Sequence, residues 1–485
     1  MPRIVKNIPI MDLMSYLLES VDSPTHVGFL QVFKPAKGSA SEVVQRVLKA
    51  YRSKPVGPPF NYYPVFSRFS MPKWALAEDF DTAYHIRHAA VPSPGSDRQV
   101  IDMVMDLHAG MMDRSRPGWI AYVIEGLEDN CFAVYWKVHH AYIDGASAIL
   151  RLNASMSKTE DDLEVIPLWG PLFEPSKPKK ELTLSDILIE AGQGIGTQAK
   201  VMREIAQSLT RSIKQARGQL ERESPLPFSA PKTLFNKPVH ATRNLGVGAT
   251  DVDRFIQIAK KQKVSVNEVA LTIVGTALDR YRETLSEPTD GQLVAACPMA
   301  VRKEGDTDAS TQIAAIQVKL GDSSMSIRQR LDQVAASSRD AKEEASQMSR
   351  EALMGYLVLL GGAATVASKS ALSDYIPAIS SVNVSNVAGP RHRCFLSGAE
   401  MVRSYPLSTL AGGSAINITL ASLSGQMNFA VIADAKAVPD AQEIADFMLE
   451  ALDELEMASN MKKKPPKIKR KSGGKKSRPK NKSTP

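Results

Sequence analysis

Two clusters of prolines limit what this 485-residue chain can fold into more than any other feature: Pro167, Pro171, Pro175 and Pro178, then Pro225, Pro227, Pro231 and Pro238. Proline lacks a backbone donor and interrupts helices and central strands, so each cluster predicts an extended connector. Between them Leu188, Ala191, Ile195, Met202, Ile205, Leu209, Ile213, Ala216 and Leu220 recur mostly three or four apart, which predicts one amphipathic helix over 185–220. Lys200, Arg203, Arg211, Lys214 and Arg217 give that helix a basic side, either an ordinary solvated face or a contact with lipid. The chain therefore divides into a first half over 1–160, a linker with its helix over 161–238, a second half over 239–456 and a tail over 457–485.

With 43% hydrophobic residues, both halves can close sizeable cores. Each mixes alternating runs, such as Val27–Phe33, with helical ones, such as 40–51 behind a cap at Ser39 or Ser41, which predicts an α/β class with mixed, α+β-like sheets. In the second half, Val264–Glu268 reads as a cap leading into a helix over 269–281. Leu293–Ala296 reads as a buried strand ended by a turn at Pro298. Residues 352–368 carry no charge, but the run is short for a membrane span and holds three glycines in all; it predicts a core helix, or a segment lying on a bilayer.

The formal charge of +8 is misleading. Residues 457–485 hold twelve Lys or Arg and no acid, so the preceding 456 residues sum to −4. Such a tail cannot bury enough apolar surface to order itself, and it predicts an appendage for a polyanionic surface. It has no interleaved aromatics to stack on bases, so nucleic acid is disfavoured and an anionic membrane or lipid-inclusion surface is the expected partner. Cys131, Cys297 and Cys394 are scattered and odd in number, giving no disulfide framework and no metal pair, and the N-terminus lacks an export signal. A cytoplasmic protein with peripheral attachment to the inner membrane or to inclusions is expected.

One constellation carries chemistry: Val138-His139-His140-Ala141-Tyr142-Ile143-Asp144-Gly145. It follows the alternating run 131–137 and precedes a helical stretch, so the histidines stand where a strand gives way to a turn, and Gly145 is expected to supply a backbone geometry other residues resist. An imidazole there could take the proton of a substrate hydroxyl as its oxygen attacks a thioester, then return it to the departing thiolate. Asp144 could accept a hydrogen bond from the imidazole, or pair with an arginine to hold the turn. A turn with satisfied polar groups and no chemistry is the plain alternative.

The pattern from His139 to Gly145 resembles the HHxxxDG motif of the coenzyme A-dependent acyltransferase superfamily. Within it the chain looks like the bacterial bifunctional wax ester synthase/acyl-CoA:diacylglycerol acyltransferase family, from about residue 11 to 444. Ser23-Pro24-Thr25-His26-Val27-Gly28, Arg114-Ser115-Arg116-Pro117, Pro298-Met299-Ala300-Val301-Arg302, Ser385 to Pro390, Tyr405-Pro406-Leu407-Ser408 and Asn417-Ile418-Thr419 carry that resemblance. The resemblance implies two similarly folded, chloramphenicol acetyltransferase-like halves with a tunnel at their interface. It also implies a long-chain O-acyltransferase that takes acyl-CoA as co-substrate and a fatty alcohol or diacylglycerol as acceptor, with no bound cofactor, no metal and no acyl-enzyme.

By the same carry-over, His140 is the general base, His139 supports it and Asp144 is structural, paired with Arg302 or Arg391. Gly145 is the turn, and Asn267 is a second-tier candidate that could equally be a helix cap. The chain departs from the family pattern at Gly118, between Pro117 and Trp119, at Glu268, and at Ser310-Thr311. The alternative these leave open is a catalytically lapsed protein that binds lipid or coats inclusions. Two other patterns fail on context: Gly192 to Gly196 lies in a helical pattern with no preceding strand, and His85 and His88 lack further ligands and read as surface imidazoles.

Overall fold

Strands form where β-branched and aromatic residues alternate, and among the described residues they collect into three sheets. A computed structural model describes residues 2–68, 70–143, 145–170, 195–300, 313–349, 376–410 and 413–460, with a few positions between 351 and 363. Asp144, Arg302, Ser310-Thr311, most of the 352–368 stretch and the tail beyond Asn460 lie outside the described residues. In chain order the strands are β1 (Arg3–Asn7), β2 (His26–Pro35), β3 (Tyr62–Val65), β4 (Lys73–Leu76), β5 (Ile86–Ala90), β6 (Trp119–Glu125), β7 (Phe132–His139), β8 (Arg243–Asp251), β9 (Val294–Ala300), β10 (Ile313–Lys319), β11 (Val382–Ala388), β12 (Phe395–Leu396), β13 (Ala399–Leu407), β14 (Ile416–Leu423) and β15 (Gln426–Asp434).

The first large sheet runs β12-β13-β2-β7-β6-β5, the second β10-β9-β11-β14-β15-β8, and a small one β1-β4-β3. Both large sheets are mixed: β5 runs parallel to β6, and β11 parallel to β9 and β14, while the remaining pairs are antiparallel. The halves are not contiguous in sequence. Strand β13 leaves the second half and pairs along β2, with Leu407 opposite Gly28 and Tyr405 opposite Leu30.

The longer helices are α1 (Ile10–Leu18), α2 (Ala40–Ser53), α3 (Asp97–Ala109), α4 (Gly145–Ala154), α5 (Ile195–Ala216), α6 (Val252–Gln262), α7 (Val266–Thr284), α8 (Ile327–Ser346) and α9 (Ala441–Asn460). Helix α2 starts where Ser39 Oγ accepts from the Glu42 amide, and it buries Val43, Val44, Val47, Leu48 and Tyr51 against the first sheet's core. Helix α7 begins three residues before the expected Val269. Ser265 and Glu268 form a reciprocal capping box, so both belong to the helix start. It is buried nearly all round and forms the axis of the second core.

Within that core Asp279 accepts from Arg330 at 2.7 Å and Arg282 at 3.3 Å, while Arg330 also donates to the Leu320 carbonyl at 2.9 Å. Burial pushes the Asp279 carboxyl up, and the two guanidiniums only partly offset it. The expected turn at Pro298 is instead continuous strand, with Pro298 opposite Ala315. On its other side β9 pairs with β11 only at Ala295 and Ala296, so the missing proline donor falls beyond that ladder.

Candidate active site

The paired histidines stand at the end of β7, in the middle of the first sheet. The His139 amide donates to the Gly118 carbonyl at 2.8 Å, and the His140 amide donates to the Thr25 carbonyl at 2.9 Å, so neighbouring segments on both sides fix the backbone. The Tyr142 amide closes the turn on the His139 carbonyl at 2.9 Å.

The two imidazoles differ in burial. His139 is 2% exposed and lies flat on the Tyr16 ring of α1, 4.0 Å between centroids and 14° from parallel. Its Nδ1 accepts from the Ala141 amide at 3.2 Å, which leaves the neutral ring's proton on Nε2, facing Thr25 Oγ1 at 3.0 Å. Thr25 Oγ1 in turn donates to the Ser15 carbonyl at 2.9 Å. Both ring nitrogens of His139 are thus engaged inside the fold. His140, at the turn, is only half-buried.

A carboxylate and a guanidinium back this arrangement. Glu19 Oε1 stands 3.7 Å from His139 Nε2 and accepts from the Thr25 amide, and Glu19 Oε2 accepts from Arg114 Nη2 at 2.8 Å. Burial pushes the Glu19 carboxyl up, but the pull of His139 and Arg114 outweighs it and holds the group below its ordinary value. Arg114 also donates to the Tyr16 carbonyl and lies over the Tyr16 and Phe66 rings. Tyr16, Glu19 and Arg114 were not singled out from the sequence as site residues. Arg114 belonged to a segment that carried the family resemblance, as did Thr25, and that was the available signal.

Gly118, one of the departures from the family pattern, has a steric reason. A Cβ there would lie 2.7 Å from Tyr142 Cε2 and 3.0 Å from His139 Cβ. Tyr142 fills that space, edge-on to Trp74 with its hydroxyl on the Tyr62 carbonyl at 2.8 Å. Glu268, the second departure, completes the α7 cap and pairs with Lys342 at 3.1 Å.

Other expectations are corrected. Gly145 is the first residue of α4, has no left-handed φ, and nothing lies within 4 Å of where its Cβ would stand, so open space rather than backbone strain characterises the position. Asn267 is not the cap of α7; Ser265 is. Arg391 is exposed, and its proposed partner Asp144 lies outside the described residues. His85 is not a surface imidazole: it is buried, its Nδ1 donates to the Trp119 carbonyl at 2.6 Å, and burial lowers its pKa to about 4. His88 pairs with Glu125 at 3.0 Å. Among the described residues no three metal-ligating side chains gather.

The site lies at the junction of the halves. Ser23 Oγ donates to the Leu410 carbonyl at 2.6 Å and Arg243 Nη2 to the Asp22 carbonyl at 2.7 Å, which ties the loop between Glu19 and Thr25 to the second half. The apolar layer between the sheets draws Leu30, Val32 and Tyr135 from one half and Leu245, Ala430 and Ile432 from the other. A separate apolar cavity of about 220 Å³, between α5, α8 and β9–β10, is not lined by His140.

Two mixed sheets joined in this way are a fold shared with the first condensation domain of the calcium-dependent antibiotic synthetase, which superposes with a TM-score of 0.58 over 94% of this chain and 97% of its own, at 12% identity. The family described as wax ester synthase/diacylglycerol acyltransferase catalytic domain matches residues 9–270, and its C-terminal domain matches residues 310–456. The chain belongs to the wax ester synthase/diacylglycerol acyltransferase family. A Mycobacterium tuberculosis protein bearing the name diacylglycerol O-acyltransferase is 30% identical over 451 residues, 92% of this chain and 99% of that one. The wax ester synthase/diacylglycerol acyltransferase from Marinobacter aquaeolei VT8 superposes with a TM-score of 0.74 at 26% identity, over 94% of this chain and all of that one.

Proposed function

We propose that this chain transfers a long-chain acyl group from acyl-CoA to a fatty alcohol or a diacylglycerol, with His140 as general base. The observation that supports the choice of base is the inequality of the two imidazoles: His139 is enclosed with both nitrogens engaged, whereas His140 is half-buried at the turn. His140 takes the proton of the acceptor hydroxyl as that oxygen attacks the thioester carbonyl. The new carbon–oxygen bond forms, the carbon–sulfur bond breaks, and the proton passes from the imidazole to the departing thiolate. No acyl-enzyme and no bound cofactor enter these steps. The two substrates meet where the halves join, from opposite sides of the His140 turn.

His139 acts through position: the Tyr16, Thr25 and Ala141 contacts hold the turn that presents His140. Asp144 retains a structural role, and Asn267, in the first turn of α7, stays a second-tier candidate. The lapsed alternative drew on Gly118 and Glu268, and both residues are built into sound local packing, which favours an active enzyme. The twelve basic residues of 457–485 are assigned to an anionic membrane or inclusion surface. No helix among the described residues is long and apolar enough to cross a membrane.

The test is thiol release from a long-chain acyl-CoA with and without hexadecanol or diacylglycerol. His140→Ala should lose roughly 10²–10⁴-fold in rate with an unchanged melting temperature, while His139→Ala should lose stability as well. Parental turnover by His140→Ala would remove the base assignment, and no acceptor-dependent release by the parent protein would favour the lapsed reading.

A further inference from the structure

We propose that helix α5 is an interfacial element that docks the protein on an anionic lipid surface through Met202, Leu209 and Ile213 with the basic residues beside them. This docking surface is distinct from the tail and does not depend on the activity proposed above. Positions 202, 209 and 213 are seven and four apart, so at about 100° per residue they fall within one stripe about 40° wide. They are 65%, 37% and 52% exposed.

The helix does not need that stripe to hold it on the protein. Its inner face buries Ile205 in the second core, Ser208 Oγ donates to Glu344 at 2.9 Å, and Gln215 Nε2 donates to the Ser224 carbonyl at 2.7 Å. Arg211 donates to Gln347, the residue that ends α8. The outer stripe is therefore surplus to folding, and leaving three large apolar side chains in water costs free energy that a partner would recover.

Charge decides what the partner is. Arg203, Lys214 and Arg217 are exposed beside the stripe and form no ion pair with a described residue. From 200 to 217 the helix and its end carry five basic residues and one acid, Glu204, on a chain whose first 456 residues sum to −4. A second copy packed symmetrically on the stripe would bring these like charges together, and a nucleic acid would use the charges but leave the stripe wet. An anionic lipid surface takes both: headgroups meet the basic side and the acyl boundary takes the apolar stripe. Because α5 is anchored to the second core, the contact fixes how the protein is oriented on the surface.

Flotation of the full chain with vesicles of phosphatidylcholine alone, or with 30% phosphatidylglycerol, tests this. The parent should float with the anionic vesicles, less with the neutral ones, and less again in 0.5 M salt. Met202→Ser, Leu209→Ser and Ile213→Ser together, and separately Arg203→Gln, Lys214→Gln and Arg217→Gln together, should each weaken binding at least tenfold. The melting temperature should stay within 2 °C of the parent's, which shows that the fold is kept. Parental flotation by both variants would overturn the proposal in favour of the tail. A dimer that the stripe variant converts to monomer, with flotation unchanged, would overturn it in favour of a second copy.

Discussion

Gly118→Ala should be costly in the parent protein and distinctly less so once Tyr142 is truncated. The added Cβ would stand 2.7 Å from Tyr142 Cε2, well inside van der Waals contact, and 3.0 Å from His139 Cβ. Tyr142 cannot swing away, because it is buried, packs on Trp74 at 5.0 Å and is fixed through its hydroxyl to the Tyr62 carbonyl. Overpacking of this kind costs about 1–3 kcal/mol. Tyr142→Ala alone removes a buried ring, at about 3–5 kcal/mol. In the double variant only the 3.0 Å approach to His139 remains, so the two changes should couple by about 1–2 kcal/mol. Denaturant midpoints of the four proteins measure the coupling, and acyl-transfer rates report whether the displaced His139 disturbs the His140 turn. Coupling below about 0.5 kcal/mol, the scale of independent sites, would refute the steric account.

Two further outcomes concern stability. His85 and His108 are buried, burial holds them at pKa values of about 4 and about 3, and His26 is pushed down for the same reason. Their folded values lie below the unfolded value near 6.5, so as pH falls below 6.5 the unfolded chain binds protons that the fold refuses, and stability is lost until the folded values are passed. At pH 5 His85 and His108 should each remove about 2 kcal/mol relative to pH 7, before most carboxylates titrate. A denaturation midpoint that does not move between pH 7 and pH 5 would contradict this. Asp279→Ala should destabilise by about 3–5 kcal/mol, because Arg282 and Arg330 would remain buried without their shared carboxylate. An unchanged thermal midpoint would show that solvent reaches those guanidiniums.

Local signals survived folding well. The 40–51 pattern and its Ser39 cap became α2, Val27–Phe33 lies inside β2, and the histidines do stand where β7 turns. What failed was non-local. Nothing near residue 400 announces that β13 will pair with β2, since register there depends on matching two surfaces far apart in sequence. Pro298 looked terminal because a lone strand gives no hint of which edge is unpaired. Around the site, Glu19 and Arg114 are 95 positions apart, and no spacing rule relates them. Gly118 is a bare departure from the family pattern in the sequence, and only the fold, which puts Tyr142 beside it, gives the reason.

The exchange of β13 has a consequence for biosynthesis. Until that segment leaves the ribosome, β2 is an outer strand with nearly every side chain apolar or destined for burial, and its free hydrogen-bonding edge waits for β13, where Ser404 lies opposite Gln31 and Met401 opposite Phe33, about 370 residues downstream. At translation speeds of about 5–20 residues per second, that wait lasts roughly 20 to 70 s. Nascent chains stalled short of residue 407 should therefore stick to one another or to chaperones, however complete their first half.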